Sequence, residues 1–158
     1  MSVQFLKRPG HPDIAYQAIN GKNAALPTVV FMGGFRSDMT GTKAAFLSDA
    51  CAARGQGYVR FDYRGHGQSG GDFMDGTIGS WLEDALAVVD MLTQGPLVIV
   101  GSSMGGWIAL RTALLRKERV RGLVGRAAAP CRMRLAASAT TTTASVLRAT
   151  EIEPRARN

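Results

Sequence analysis

Apolar residues along the chain fall into short runs that alternate with longer segments of helical period. Residues 26–32 (LPTVVFM) form a continuous apolar run, which is typical of a strand buried on both faces of a parallel sheet. From residue 26 onward, strands and helices alternate, and this order predicts an α/β fold with a mostly parallel sheet and flanking helices. The predicted strands are residues 4–7, 14–20, 26–32, 58–63, 97–100 and 120–125.

Three helices are predicted between these strands. In residues 42–54 the apolar residues, Phe46 among them, share one face of the helix. A second helix is predicted around Ser80 and Glu83, whose spacing fits a capping box. The third, residues 104–116, directly follows a strand.

The composition changes near residue 126. Residues 126–158 contain no glycine and no aromatic side chain, and residues 140–143 are four consecutive threonines. We therefore expect residues 1–128 to be one α/β domain, cut short after about its sixth strand. Residues 129–158 are then an Arg/Ala/Thr-rich tail, either disordered or produced by a shift of reading frame near Gly125. The last strand would be left as an open sheet edge, which favours aggregation.

The formal net charge of +7 is concentrated in that tail. Residues 1–125 hold 13 Lys and Arg against 10 Asp and Glu, a net of +3, whereas residues 126–158 hold 6 Arg against 2 Glu, a net of +4. The basic balance therefore belongs to the tail rather than to a folded face, and no nucleic-acid partner is expected. Binding of nucleic acid by the tail is an alternative, and its signature is a salt-dependent affinity that disappears when the tail is removed.

The chain also lacks the features of several other classes of protein. It has no run of 18 or more apolar residues, so no membrane span is expected. Its two cysteines, Cys51 and Cys131, are far apart, and it has only two histidines; a disulfide framework or a metal cluster is not expected. The first ten residues hold no apolar stretch of the kind found in signal peptides, and we expect a cytoplasmic protein.

Residues 101–105 (GSSMG) carry the strongest chemical signal. They fit G-x-S-x-G between a predicted strand and a predicted helix, which is the context of a nucleophile elbow. The sharp turn strains the backbone at Ser103, and the flanking glycines leave room for it. This arrangement would expose the Ser103 hydroxyl at the carboxyl edge of the sheet. The alternative is a glycine-rich turn that only packs a helix against a strand.

A second loop supplies the donors that acyl transfer requires. Two backbone N–H groups must point at the oxygen that becomes negative in the transition state. One comes from the residue after the nucleophile, here Met104. The other comes from the loop after an earlier strand, where residues 33–35 read GGF, and we assign it to Phe35. On its own, this loop would be an ordinary turn at the end of a strand.

Two glycine-rich segments resemble nucleotide-binding motifs but fail in detail. Residues 65–70 (GHGQSG) match G-x-G-x-x-G, yet the glycines and aspartates that follow prevent the helix that such a motif must open. In residues 34–43, six residues separate the glycines, and Thr42 stands between Gly41 and Lys43, so the segment is not a phosphate loop. No cofactor is expected.

In these segments the sequence resembles the α/β-hydrolases. Residues 61–69 (FDYRGHGQS) are similar to the family's loop after the fourth strand, and the two motifs above stand in the family order. Within the family, the likeness is to the branch of abhydrolase-domain proteins that contains palmitoyl-protein thioesterases and acyl-glucuronide esterases. It spans about residues 3–130 and is carried by residues 39–43 (MTGTK), 60–63 (RFDY) and 95–107 (GPLVIVGSSMGGW).

The resemblance implies an α/β-hydrolase fold and a serine hydrolase of carboxylic esters or thioesters, acting on a small-molecule or acylated substrate without a cofactor. Ser103 matches the nucleophile, and Phe35 and Met104 match the oxyanion positions. The chain departs from the family after Ser103, where it has no histidine and no aspartate to complete a triad. We therefore expect little turnover and a structural role for His66. The alternative is a non-catalytic α/β module that binds acyl ligands.

Overall fold

The computed structural model describes residues 2–126 and the backbone of Ala144–Leu147. Within this part of the chain, no helix has both the length and the apolar character that crossing a membrane requires. The strands are β1 (Gln4–Arg8), β2 (His11–Ile19), β3 (Thr28–Met32), β4 (Tyr58–Phe61), β5 (Leu97–Ser102), β6 (Val120–Arg126) and β7 (Ala144–Leu147), and the helices are α1 (Thr42–Ala53), α2 (Ile78–Leu92) and α3 (Met104–Leu115).

The strands form one mixed sheet in the order β1-β2-β4-β3-β5-β6-β7. Its four central strands, β4, β3, β5 and β6, are parallel, and β1, β2 and β7 add antiparallel pairs at the two edges. The predicted α/β fold is confirmed. Because the central strands are parallel, the loops that leave β3, β4 and β5 emerge at the same edge of the sheet, which brings distant parts of the sequence together.

The two faces of the sheet are covered unequally. Helices α2 and α3 pack on one face over a large buried cluster that includes Val30, Ile99 and Ile108. Helix α1 packs on the other face over a much smaller cluster, in which Val98 and Val100 are only partly buried. The first face therefore supplies most of the apolar burial that stabilises the domain.

Two local expectations are wrong. Phe46 was assigned to the buried face of α1, but its side chain is 70% exposed, and the helix buries Ala44, Ser48 and Cys51 instead. The capping box of α2 is formed by Thr77 and Ser80 rather than by Ser80 and Glu83, so the helix begins three residues earlier. In both cases the local sequence pattern is compatible with more than one helix register. The contacts in the folded chain favour a register other than the predicted one.

The predicted open edge at β6 is also wrong. Ala144–Leu147 forms β7 and pairs antiparallel with residues 123–126 of β6, from Leu123↔Leu147 to Arg126↔Ala144. The short strand satisfies part of the hydrogen-bonding edge of β6. The remainder of the tail predicted at residues 129–158, with its alternatives of disorder and a shifted frame, lies outside the described residues.

Candidate active site

Ser103 occupies the turn between β5 and α3. The strand ends at Ser102, the helix begins at Met104, and Ser103 is the exposed residue between them, with φ 53° and ψ −122°. A side chain is disfavoured at such a positive φ, and a conformation of this kind persists only where the surrounding structure enforces it. The strand–turn–helix geometry is the one expected of the G-x-S-x-G motif, and the catalytic role of Ser103 stays a prediction.

The glycines on either side of Ser103 allow the turn to form. A Cβ atom at Gly105 would collide with the carbonyl oxygens of Met32 and Gly33, and one at Gly101 would collide with the backbone of Gly105. The helix therefore approaches β3 and β5 more closely than any residue with a side chain would permit. This contact is between backbones and leaves Ser103 little room to relax.

The loop after β3 lies directly against this turn. A Cβ atom built at Gly34 would be 3.3 Å from both the Ser102 carbonyl oxygen and the Ser103 Cβ atom. The N–H groups of Phe35 and Met104 donate to none of the described residues. Two free backbone donors thus lie on the two segments that meet at the serine, as an oxyanion site requires.

Asp62, in the loop after β4, connects that loop to the loop after β3. Its Oδ1 atom accepts a hydrogen bond from the Met39 N–H at 2.6 Å, and its Oδ2 atom accepts one from the Gln68 N–H at 2.9 Å. The carboxyl is 2% exposed. Burial raises its pKa above the ordinary value of 3.8, against the opposing effect of these two donors.

His66 makes a second connection between the same two loops. Its Nδ1 atom is 3.2 Å from the Arg64 carbonyl oxygen, and its Nε2 atom accepts from the Arg36 N–H at 3.3 Å. Because a carbonyl oxygen can only accept and a backbone N–H can only donate, these two contacts fit the tautomer with its proton on Nδ1. Both ring nitrogens are engaged with backbone groups, as expected of a structural histidine.

An aromatic cluster surrounds His66 and reaches the loop after β3. The His66 ring lies 5.1 Å from the rings of Phe73 and Trp81, and the Phe35 ring lies 5.0 Å from that of Phe73. Phe35 is nevertheless 56% exposed. The cluster fixes the direction of the Phe35 ring while leaving one side of it open to solvent.

Lys43 is a further polar residue at this edge that the sequence did not single out for a role. Its Nζ atom donates to the Ser102 Oγ atom at 2.8 Å, next to Ser103 in the chain. Asp62 lies in residues 60–63 and Lys43 lies in residues 39–43, two of the segments that carry the family resemblance. That resemblance was the only feature of the sequence that could have indicated a role for either residue. Their partners are distant in sequence and follow only from the fold.

The glycine-rich segment at residues 65–70 forms a tight loop closed by a hydrogen bond from the Gly65 N–H to the Gly70 carbonyl oxygen at 2.9 Å. A short 3-10 turn, Phe73–Asp75, follows it rather than a helix, which agrees with its rejection as a dinucleotide motif. Among the residues with described positions, no group of three His, Cys, Asp or Glu could hold a metal ion.

The comparison with known families covers most of the chain. The family described as serine aminopeptidase, S33, matches residues 24–151. The mitochondrial palmitoyl-protein thioesterases ABHD10 of Bos taurus and Homo sapiens are each 42% identical over 128 residues, which is 81% of this chain and 41% of each relative. The sn-1-specific diacylglycerol lipase ABHD11 of Mus musculus is 33% identical over 70% of this chain and 35% of its own length. The chain spans less than half the length of these curated relatives.

Solved structures agree with the sequence comparison. The alpha/beta hydrolase domain-containing protein 10 from mouse superposes with a TM-score of 0.78 at 40% identity, over 82% of this chain and 50% of that one. A putative hydrolase from Agrobacterium vitis S4 has a TM-score of 0.76 at 45% identity, over 82% and 53%. These matches confirm the α/β-hydrolase fold that the resemblance implied.

The expected cytoplasmic location is contradicted by the same relatives. The ABHD10 proteins of Bos taurus, Rattus norvegicus and Homo sapiens are mitochondrial by name, not cytoplasmic. The expectation rested on the lack of an apolar stretch in the first ten residues, and that tests only for a secretory signal. Mitochondrial targeting uses amphipathic, Arg-rich segments, for which apolar content is no guide.

Proposed function

The chain belongs to the serine aminopeptidase S33 family of α/β-hydrolases, and from this membership we propose that it hydrolyses carboxylic esters or thioesters through Ser103. The observation that carries the proposal is the exposed Ser103 at φ 53°, adjoined by two segments whose Phe35 and Met104 N–H groups donate to no residue that the structure describes. The thioesterase names of the relatives agree with an acyl substrate.

Acyl transfer at this site proceeds in two steps. The Ser103 Oγ atom attacks the carbonyl carbon while its proton passes to a base, and the Phe35 and Met104 N–H groups donate to the carbonyl oxygen as it becomes negative. The alcohol or thiol then leaves with a proton, which forms an acyl ester of Ser103. Water attacks that ester, releases the carboxylic acid and restores the hydroxyl.

The rate of acyl transfer is limited by the general base that must accept the Ser103 proton. The chain has no histidine and no aspartate after Ser103, and His66 is engaged with backbone groups on both sides. Loss of one triad member lowers kcat by about a million-fold in a subtilisin-type protease. We therefore expect slow turnover, with thioesters favoured because a thiol of pKa near ~8.5 leaves with little help from an acid.

Chemical rescue tests the proposal. Release of thiol from a short-chain acyl thioester is measured with increasing imidazole, which supplies the base. The full chain should show an imidazole-dependent rate above that of the Ser103→Ala variant, and a fluorophosphonate should label Ser103 slowly in the same conditions. Ser102→Ala is the matched control and should retain labelling. Equal rates for the full chain and Ser103→Ala, or labelling of Ser102, would contradict the proposal. Protection from labelling by an acyl ligand without any turnover would favour the non-catalytic binding module.

A further inference from the structure

The direction of the Met104 N–H is fixed by the helix that begins at this residue. The Met104 N–H shares a peptide unit with the Ser103 carbonyl group, whose oxygen accepts from the Gly106 N–H at 2.9 Å in the first turn of α3. This peptide unit is trans and planar, so its N–H and its carbonyl group point in opposite directions. A hydrogen bond that holds the carbonyl group therefore also directs the N–H.

The Phe35 N–H belongs to a similar peptide unit, but no helix directly follows it. It shares that unit with the Gly34 carbonyl group, whose oxygen accepts from the Ser37 N–H at 3.2 Å, the long end of the range for such bonds. Arg36, with φ 55°, occupies the third position of this four-residue turn, where a positive φ favours glycine. The backbone alone thus closes a strained turn with a long hydrogen bond.

The Ser37 side chain supplies a second donor to the same carbonyl oxygen. Its Oγ atom donates to the Gly34 carbonyl oxygen at 2.8 Å, the usual distance for an O–H···O bond. The absence of a side chain at Gly34 leaves room for this contact. A Cβ atom built there would be 3.1 Å from the Ser37 Oγ atom and 3.3 Å from the Ser103 Cβ atom. The Ser37 hydroxyl therefore holds this peptide unit as the first turn of α3 holds the other.

The second hydrogen bond also makes the Phe35 N–H a stronger donor. Hydrogen bonds in series polarise the peptide unit that joins them, and each strengthens the next by about 10–30%. The Phe35 N–H donates to none of the described residues. A donor that is already directed and polarised stabilises a developing oxyanion without having to reorient during the reaction.

The other side-chain hydrogen bonds of the loop act on later peptide units. Their donors are the N–H groups of Arg36, Met39 and Thr40. These bonds place the loop as a whole, but they do not hold the Gly34 carbonyl group, and glycine tolerates many backbone conformations. Among the described side chains, the hydroxyl of Ser37 is the one that controls this peptide unit.

We propose that Ser37 is a positioning residue for acyl transfer, whose hydroxyl directs the Phe35 N–H and strengthens it as a donor to the oxyanion. The inference rests on the proposed function. Because the oxyanion forms only as the reaction proceeds, the Ser37 hydroxyl should affect kcat rather than the binding of substrate.

Ser37→Ala removes the hydroxyl and leaves both oxyanion donors in place. In the imidazole-rescued hydrolysis of a short-chain acyl thioester by the full chain, we expect kcat to fall by about three- to tenfold with KM unchanged. Loss of a whole oxyanion donor costs more, about 10²–10³-fold. Ser37→Thr keeps a hydroxyl and should recover most of kcat. A kcat for Ser37→Ala equal to that of the parent chain would overturn the inference.

Thr40→Ala is the matched control in the same loop. The Thr40 hydroxyl donates to the Asp38 Oδ1 atom at 2.6 Å and makes no contact with the Gly34 carbonyl group. Its removal should leave kcat unchanged. A loss of kcat as large as that of Ser37→Ala would show that any lost hydroxyl in the loop has this effect, and would overturn the inference.

NMR relaxation of the ¹⁵N-labelled full chain examines the same N–H without any turnover. The order parameter of the Phe35 N–H should be near ~0.85 in the parent chain and in Ser37→Thr, and should fall below about 0.6 in Ser37→Ala. The Arg36 N–H, which donates to His66, should keep its value. An unchanged order parameter for Phe35 in Ser37→Ala would overturn the inference.

The two measurements separate this inference from the proposed function. If the Phe35 order parameter falls as expected while the parent chain releases no more thiol than Ser103→Ala, the effect of Ser37 on the N–H is supported and the proposed acyl transfer fails. If the parent chain is active and Ser37→Ala matches it in kcat, the acyl transfer stands and the inference fails.

Discussion

Two residues of the described chain adopt a positive φ without being glycine, and they lie on the two loops that meet at the candidate site. Ser103 has φ 53° and Arg36 has φ 55°. The two φ angles are nearly the same, but the two positions are held in different ways. Ser103 is confined by backbone contacts around Gly101 and Gly105, whereas the loop of Arg36 is tied down by hydrogen bonds to the side chains of His66 and Asp62.

The difference shows two ways of maintaining backbone strain at the candidate site. The turn at Ser103 depends on the absence of side chains, so any added atom should disrupt it. The loop at Arg36 depends on particular acceptors, so the loss of an acceptor should loosen it while leaving the turn intact.

The largest effect is expected for Gly105→Ala. Its Cβ atom would overlap the carbonyl oxygens of Met32 and Gly33, at the end of the central strand β3, where the backbone has little freedom to move. We expect the free energy of unfolding to fall by at least about 3 kcal/mol, measured by urea denaturation. Gly33→Ala is the matched control, because no atom lies within 4 Å of its added Cβ. Similar midpoints for the two variants would refute the account of the turn.

Asp62→Ala should have the next largest effect. It leaves the Met39 and Gln68 N–H groups without their acceptor in a buried setting, which costs about 1–3 kcal/mol for each group. Hydrogen exchange at the Met39 amide should accelerate, while exchange at the Ser103 amide, which donates to the Arg126 carbonyl oxygen, should not. Acceleration at both amides would show that the two loops are not held independently.

The pH dependence of Asp62 has a definite sign. Burial raises its pKa in the folded chain, so its contribution to stability is fully present below the ordinary value of 3.8 and declines as the pH rises through the folded pKa. The stability difference between the parent chain and Asp62→Asn should therefore shrink on going from acid to neutral pH. A difference that grows with pH would contradict this assignment.

A smaller effect is expected at His66. His66→Phe keeps the aromatic packing against Phe73 and Trp81 but removes the acceptor for the Arg36 N–H. We expect a loss of about 1–2 kcal/mol and faster hydrogen exchange at Arg36. His66→Gln, whose side-chain oxygen can accept, should restore part of the protection. If both variants exchanged at the parent rate, the hydrogen bond would have no part in holding the loop.

The smallest effect is expected at Asp90, which pairs with Arg116 away from both loops. The Asp90 carboxylate and the Arg116 guanidinium are joined at 2.6 Å, with the two side chains 40% and 29% exposed. Hydrogen bonding to Arg116 lowers the pKa of Asp90, so this stabilisation is present above pH 3.8 and is lost as the pH falls through the folded pKa. Asp90→Asn should cost less than about 1 kcal/mol at neutral pH because of the exposure. A loss of unfolding free energy as large as that caused by Asp62→Ala would show that the buried contacts at the candidate site are no more stabilising than an exposed ion pair.

The turn at Ser103 could be predicted from the sequence because its sequence signal is local. Glycine at positions 101 and 105, a preceding apolar strand and a following helix lie within a short segment. The supports of the Arg36 loop could not be predicted in the same way. The Asp62–Met39 and His66–Arg36 contacts join residues that only the order of β3 and β4 in the sheet brings together.

The same distinction explains the errors. The position of Phe46 was predicted from periodicity and the start of α2 from the spacing of a capping box, and each of these patterns is compatible with more than one register. The partner of β6 was missed because β7 comes from a segment whose composition is unlike that of a strand.

The position of β3 at the centre of the sheet also sets an order of assembly. Thr28 of β3 pairs with Leu97 of β5, so about seventy residues must be synthesised and their loop closed before this pairing can begin. Before β5 is synthesised, the nascent chain already contains residues 33–39. It also contains Asp62 and His66, whose side chains hold that loop, because β4 and the loop after it precede β5 in the sequence. The strain at Ser103 can be imposed only once β5 has docked on β3. The loop after β3 can therefore become ordered before the turn that contains Ser103.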